Sequence, residues 1–375
     1  MRIVAIDPHP DNRRGGQERS LFDVLTGLRG RGHEVRLAYV QEGNFLPRYE
    51  EAGVRCFRIE RTWVERKKRV REWKELLRSK DNVVFDGAEV IYANQFSDLP
   101  VACLAGRHRH VPVVCHLRLP PMQYGLQHRA CLRLVRGYIV ASDVMRQAYA
   151  AAGWPADRLH VVPNAFSFPA AAPPWPRDIS RPLRMVCLGR ITETKGLDTA
   201  LEIVERLLAQ DVPVTLDICG PVLRDEHRVY RDMLLNRIET QGLPARVLDP
   251  VQGPLAFLAH YDLSLFPSRW ESFGRVVVES IMAGVPVVAR DIGAVSDVLG
   301  PVGCRWRFRT AEEAVQLVKA LIEDPEDYPM SAIYSRAKDY YAKDVILPQI
   351  EDIFRHACAM GLSGRSAGPL TKSSS

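Results

Sequence analysis

Met185-Val186-Cys187-Leu188-Gly189-Arg190-Ile191-Thr192-Glu193-Thr194-Lys195-Gly196 opens the second half of the chain. The apolar run reads as a buried strand that ends at Gly189, with Arg190 leaving the strand tip and Lys195 starting the next helix. Four further buried strands follow with helices between them, at Val214–Cys219, Arg246–Leu248, Leu263–Phe266 and Pro286–Ala289. The first half has the same rhythm, with strand-like segments at 2–7, 34–40, 54–59, 89–93, 111–117, 137–141 and 159–162. Helix-prone stretches such as Glu18–Arg31 and Val144–Ala152 separate several of them. Strands alternating with helices make βαβ units and mostly parallel sheets, so the chain reads as two α/β, Rossmann-like, doubly wound domains. Pro-rich Phe168–Pro176 fits neither sheet and reads as a linker. The expected division is 1–167, a linker over 168–182, a second domain over 183–340, a C-terminal helix over 341–362 and a disordered tail over 363–375. Apolar residues at 346, 347, 350, 353, 354 and 357 predict that this last helix crosses back onto the first domain.

Composition sets the outer limits. The chain has 375 residues, 46% hydrophobic and 26% charged, which excludes disorder, collagen-like repeats and a small disulfide scaffold. No apolar run approaches the ~20 residues of a membrane-spanning helix. Met1–Asp7 is too short and too soon acidic to read as a signal peptide, so the expected compartment is the cytoplasm. Eight cysteines without a CxxC pair are expected to be reduced thiols. The net charge of +6 is uneven: residues 1–165 carry 27 Lys+Arg against 18 Asp+Glu, and the remainder 24 against 27.

Ligands of doubly wound sheets bind outside the carboxyl ends of the strands, and several such ends carry polar chemistry. Gly15-Gly16 precede a helix and let backbone amides approach an anion closely. They do not form GxGxxG, which argues against a dinucleotide redox enzyme. The guanidinium of Arg190 and the ammonium of Lys195, beside Gly189, suit a diphosphate, in an order that a P-loop does not have. Pro267-Ser268-Arg269-Trp270-Glu271-Ser272-Phe273-Gly274-Arg275-Val276-Val277-Val278-Glu279 is the strongest signal. Glu271 lies in a loop, Gly274 opens an apolar helix and Glu279 sits in its second turn. Two carboxylates so placed can accept hydrogen bonds from vicinal diols at opposite ends of an elongated ligand. The amides around Phe273–Arg275 add a helix N-terminus. His116 ends the apolar run Val111–Cys115 and is expected to face the same cleft.

In order and spacing these pieces resemble the retaining glycosyltransferases of GT-B architecture called family 4, over roughly residues 1–360. Val161-Val162-Pro163-Asn164 and Ala283–Ala289 also match that pattern. The resemblance implies a nucleotide-activated sugar donor, UDP- or GDP-linked, with no metal and no other cofactor. By that correspondence Arg190 and Lys195 hold the diphosphate, and Glu279 the ribose. Glu271, with the Phe273 and Gly274 amides, holds the hexose; His116 touches the sugar and Gly15-Gly16 approach the phosphates. Catalysis would rest on Arg190, Lys195, Glu271 and His116, with Gly189 and Arg275 completing the donor site. The sequence departs from the family at Asn94, where histidine is common, and at Asp249-Pro250, near the expected base. A non-catalytic nucleotide-sugar binder and a nucleotide-sugar epimerase are the alternatives on the same fold.

Arg61–Lys80 carries nine Lys+Arg against three Glu, with Trp63, Val70, Trp73 and Leu77 at roughly helical spacing. A basic amphipathic helix of this kind reads either as an anionic membrane-surface contact on the inner face or as a helix packed on its own domain. The acceptor is accordingly expected to be a glycan or lipid-linked. A nucleic-acid partner would account for the charge but leaves Glu271 and Glu279 without a role.

Overall fold

In the computed structural model, residues 1–11, 15–64, 69–122, 126–174 and 182–363 are described. β1 (Arg2–Ile6), β2 (Glu34–Tyr39), β3 (Arg55–Arg58), β4 (Val90–Ala93), β5 (Val113–Leu117), β6 (Val135–Val140) and β7 (Leu159–Val161) form a seven-stranded sheet ordered β3-β2-β1-β4-β5-β6-β7. β8 (Leu183–Leu188), β9 (Val214–Cys219), β10 (Ala245–Leu248), β11 (Leu263–Phe266), β12 (Val287–Arg290) and β13 (Arg307–Phe308) form a six-stranded sheet ordered β10-β9-β8-β11-β12-β13. Every adjacent pair is parallel. The near-continuous Val, Ile, Leu and Cys of the central strands fit sheets covered by helices on both faces. β13 went unrecognised in the sequence because two residues carry no periodicity; pairing with β12 is what makes it a strand.

Both sheets reverse strand order beside their first strand, at β1/β4 and at β8/β11. A crevice opens at such a switch point, because the flanking connections leave on opposite faces. The Gly15-Gly16 loop follows β1, the Gly189–Lys195 loop follows β8, and the Pro267–Gly274 loop follows β11. Each therefore opens at a crevice.

The chain passes between the two halves at two adjacent places. The Phe166 amide donates to the Tyr341 carbonyl at 2.9 Å, and the Lys343 amide to the Phe166 carbonyl at 2.9 Å. Of the 168–182 stretch, residues 175–181 lie outside the described residues, as do 364–375 of the expected tail. The helix Lys343–Ser363 lies on the first sheet. Ile346, Leu347, Ile350, Phe354 and Ala357 are buried in one core with Ile3, Ala5, Tyr92, Val114 and Ile139. Truncating a buried aromatic such as Phe354 removes contacts worth roughly 3–5 kcal/mol.

This attachment is also electrostatic. Arg31 donates Nε to Glu351 Oε1 at 2.6 Å and Nη2 to Oε2 at 3.2 Å, and His33 Nε2 lies 2.9 Å from Oε1. Arg31, then His33, hold the Glu351 carboxyl down to about 2 from an ordinary 4.5, against the opposing effect of burial. A depressed carboxyl stabilises the fold above its unfolded value and loses that contribution as it protonates. Wild type should therefore melt higher than Glu351→Gln above pH 4.5, with the gap shrinking as pH falls toward 2. A gap that does not change with pH would contradict this linkage.

Candidate active site

The two sheets turn their carboxyl edges toward a shared cavity of about 420 Å³, lined by both halves. That volume suits a ligand of nucleotide-sugar size. In the second half the loop after β8 is built by close backbone approach. A Cβ on Gly220 would stand 1.8 Å from the Gly189 carbonyl oxygen, and one on Gly196 would stand 2.3 Å from the Pro267 carbonyl oxygen. Only glycine permits these crossings, and they set where Arg190 and Lys195 leave the chain. Lys195 closes the 3-10 turn Glu193–Lys195 and precedes the helix Leu197–Leu208, rather than starting it. Arg190 and Lys195 both line the cavity.

Lys195 Nζ donates to Glu271 Oε1, which also accepts from Ser268 Oγ at 3.2 Å. Gly274, at φ 89°, starts the helix Arg275–Met282, where a side chain would be strained. In the first turn the Val277 amide donates to the Gly274 carbonyl at 3.0 Å, while Gly274, Arg275 and Val276 line the cavity. Phe273 lines the cavity. Its ring is buried 6.1 Å from Phe166 and 5.7 Å from Tyr341, at the place where the chain passes between halves.

Arg275, expected to complete the donor site, also reaches the first half of the chain. Its guanidinium donates to Ser20 Oγ at 3.0 Å and Asp23 Oδ2 at 2.9 Å, on the helix Gly16–Gly30 of the first half. It also sits 4.4 Å from the centroid of the Phe166 ring. Buried Glu279 is held by Arg275 Nε at 3.3 Å and by Arg19 Nη1 at 3.7 Å, one cation from each half. The first-half glycines face these cations directly. A Cβ on Gly15 would lie 3.9 Å from Arg190 Nε, and one on Gly16 would lie 3.1 Å from Arg275 Cδ.

His116 requires a correction. It is buried inside β5, which continues to Leu117, and it does not line the cavity. Its Nδ1 lies 2.7 Å from the Tyr92 hydroxyl. Burial, reinforced by nearby Arg118, holds the imidazole well below its ordinary range. The residue that reaches the cavity from the end of β5 is Arg118, joined by Asn164 and by Arg19. Sequence reasoning passed over Arg118. The signal was present, since a cation directly after a buried strand is the feature that singled out Arg190.

All eight cysteines are free thiols. Among the described residues no group of three His, Cys, Asp or Glu side chains is placed to hold a metal ion. Among the same residues no helix is long and apolar enough to cross a membrane.

Two family models match the chain in succession: Glycosyltransferase Family 4 over residues 14–167 and Glycosyl transferases group 1 over residues 177–338. The chain belongs to this glycosyltransferase family. It is similar to an uncharacterized 41.2 kDa protein in the cps region of Klebsiella pneumoniae, 29% identical over 138 residues, which are 36% of each chain. It is also similar to the lipopolysaccharide core biosynthesis mannosyltransferase LpsB of Rhizobium meliloti, 32% identical over 116 residues, which are 30% of this chain and 32% of that one. The matched stretch thus spans about a third of either curated relative. The solved structure of Anabaena Alr3699/HepE in complex with UDP and glucose superposes with a TM-score of 0.76 at 22% identity, covering 95% of this chain and 99% of that one. The architecture is GT-B: two Rossmann-like domains with a cleft between them.

The Gly189–Gly220 crossing makes a direct prediction for this glycosyltransferase family member. Gly220→Ala should displace the turn bearing Arg190 and weaken nucleotide binding about tenfold or more, equivalent to ~1.4 kcal/mol. Calorimetric titration with UDP and GDP measures it; unchanged affinity for a nucleotide that binds wild type would contradict the placement.

Proposed function

We propose that the protein transfers a glycosyl group, with retention of configuration, from a UDP- or GDP-sugar to a hydroxyl of a glycan or lipid-linked acceptor, in the synthesis of a polysaccharide or glycoconjugate. The observation that carries this reading is the convergence of Arg190, Lys195, Glu271 and Glu279 on one cavity between the two halves. Arg190 and Lys195 meet the charge of the diphosphate. Glu279, already held by a cation from each half, accepts from the ribose hydroxyls. Glu271, with the Phe273 and Gly274 amides, accepts from and donates to the hexose. Lys195 pairs with Glu271 in the free protein. A donor therefore exchanges one ion pair for two sets of charge-assisted hydrogen bonds, to phosphate and to sugar.

The step needs little covalent work from the chain. The C1–O bond to the diphosphate breaks through an oxocarbenium-like transition state, and the acceptor oxygen bonds C1 on the same face. Its proton passes to the departing phosphate oxygen. Charge builds on that phosphate, so fixed cations beside it act where the transition state differs most from the ground state. The two arginine and lysine side chains stand where a divalent cation would otherwise neutralise the phosphates, which supports a metal-independent reaction. Arg190→Ala and Lys195→Ala should each lower turnover of a verified donor on the order of 10²–10³. Rates equal to wild type in either variant would remove the assignment.

The basic segment supports a place at the inner face of a membrane. The helix Arg69–Lys80 points Leu76 into the core while Val70, Trp73 and Leu77 stand 72%, 43% and 43% exposed. Trp63 precedes this helix, and residues 65–68 between them lie outside the described residues. Arg61 is partly neutralised by Glu75 at 3.0 Å, and Arg71 pairs with the same carboxylate at 2.8 Å. The apolar stripe is therefore only half used by the protein, and an interfacial helix would bury it among headgroups. The protein should float with vesicles containing anionic lipid at low salt, and less so as Trp73→Ala/Leu77→Ala. Absence from the vesicle fraction at low salt would contradict the membrane assignment.

A further inference from the structure

Three buried nitrogens without a hydrogen-bond partner sit together at the carboxyl ends of β4 and β5. They are Asn94 Nδ2, His116 Nε2 and Arg118 Nη2. Buried polar groups are ordinarily paired, and three orphans in one place ask for a missing partner. The surrounding bonds settle what kind. Arg118 donates Nε to Asn94 Oδ1 at 2.6 Å and Nη1 to Asn164 Oδ1 at 3.2 Å, so both amide carbonyls are already engaged. That orients the Asn94 amide so that its free atom is a donor. Tyr92 is fully buried, and burial keeps its hydroxyl protonated. It lies 2.7 Å from His116 Nδ1, and when it donates there the neutral imidazole carries its hydrogen on Nε2. Asn94 Nδ2 and Arg118 Nη2 are donors in any arrangement, and His116 Nε2 joins them in that tautomer.

The charge balance points the same way. Arg118 is a buried guanidinium whose hydrogen bonds go to two neutral amides, while the carboxylates of Asp7 and Glu18 act on it only through space. A buried cation held without a hydrogen-bonded carboxylate is costly unless an anion completes it. Arg118 also lines the cavity and stands on the first-half wall, opposite the helix bearing Glu279.

We infer that Arg118, with Asn94 and His116 behind it, forms a second anion site, separate from the Arg190–Lys195 pair, that receives a carboxylate or phosphate oxygen of a substrate. The anion is either a carboxylate on the donor's own sugar or an acidic group on the acceptor, which the first half is expected to bind. Asn94 then has a physical purpose: buried behind the cavity wall, its carbonyl accepts from Arg118 and holds the guanidinium that lines the cavity. This inference rests on the nucleotide-sugar reading for its setting, and its test is arranged so that the two can fail separately.

Wild type, Arg118→Met and Arg118→Lys are titrated calorimetrically with paired probes that differ in an acidic group, after circular dichroism establishes that the variants are folded. UDP-glucuronate against UDP-glucose tests the donor as the source. Methyl glucuronide and glucose 6-phosphate against methyl glucoside, with and without UDP, test the acceptor. In one arm the anionic probe should bind wild type about tenfold or more tightly than its neutral partner, the strength expected of a charge-assisted bond. Arg118→Met should abolish that preference, and Arg118→Lys should retain part of it. No preference in either arm, or a preference that survives Arg118→Met, would overturn the anion site. Failure of wild type to bind any uridine or guanosine nucleotide overturns the donor reading instead, and the arm without UDP still decides Arg118.

Discussion

Arg275 ties the two halves together beside the cavity that both of them line. From the helix that carries Glu279 it reaches across to Ser20 and Asp23 on the first half and stacks on Phe166, next to the chain crossing. Asp23 also accepts from Lys343 at 3.2 Å, at the root of the returning C-terminal helix. One carboxylate thus joins the cleft, the crossing and the C-terminal helix. Closely spaced charges that are mostly shielded from solvent interact far more strongly than surface pairs, so this cluster sets the relation of the two sheets. The cavity exists because that relation places both switch points face to face.

The charges inside the cleft are arranged as preformed pairs. Glu271 holds Lys195, and Glu279 is shared between Arg275 and Arg19. Pairing holds each group in position without a ligand, so on the proposed reading little reorganisation is needed when phosphate and sugar hydroxyls arrive. On the proposed reading, it also lets a half of the chain with net negative charge receive an anionic donor. Local placement at strand ends and helix N-termini decides the field in a narrow cleft, while the summed charge of a domain governs only its longer-range attraction.

The sheets were legible because central strands carry apolar runs ended by glycine or by a polar residue, as at Met185–Leu188 before Gly189 and Val287–Ala289 before Arg290. The charged residues after β8 and β11 could be read for the same reason, since a parallel strand shows plainly where its carboxyl end lies. Side-chain direction across the cleft was not legible. Arg275 reads as part of a helix start, and nothing local says that its guanidinium leaves for Asp23, more than 250 positions away. His116 and Arg118 show a related difficulty. The strand-like segment 111–117 ends where β5 ends, at Leu117, so His116 lies inside the strand and Arg118 is the first residue past it. The half-exposed Trp73 face of the basic helix needed coordinates as well, because helical spacing alone does not say which stripe meets the sheet.

The central claim is that a nucleotide sugar binds between the Gly189–Lys195 turn and the Glu271–Glu279 segment. Thermal melting of wild type and Glu279→Gln, in the presence of UDP-, GDP-, ADP- and dTDP-sugars, tests it directly, because a ligand that binds only the folded state raises the melting temperature by mass action. The account predicts a concentration-dependent rise for at least one donor, reduced in Glu279→Gln. No rise with any of the four, or an equal rise in the variant, would contradict it.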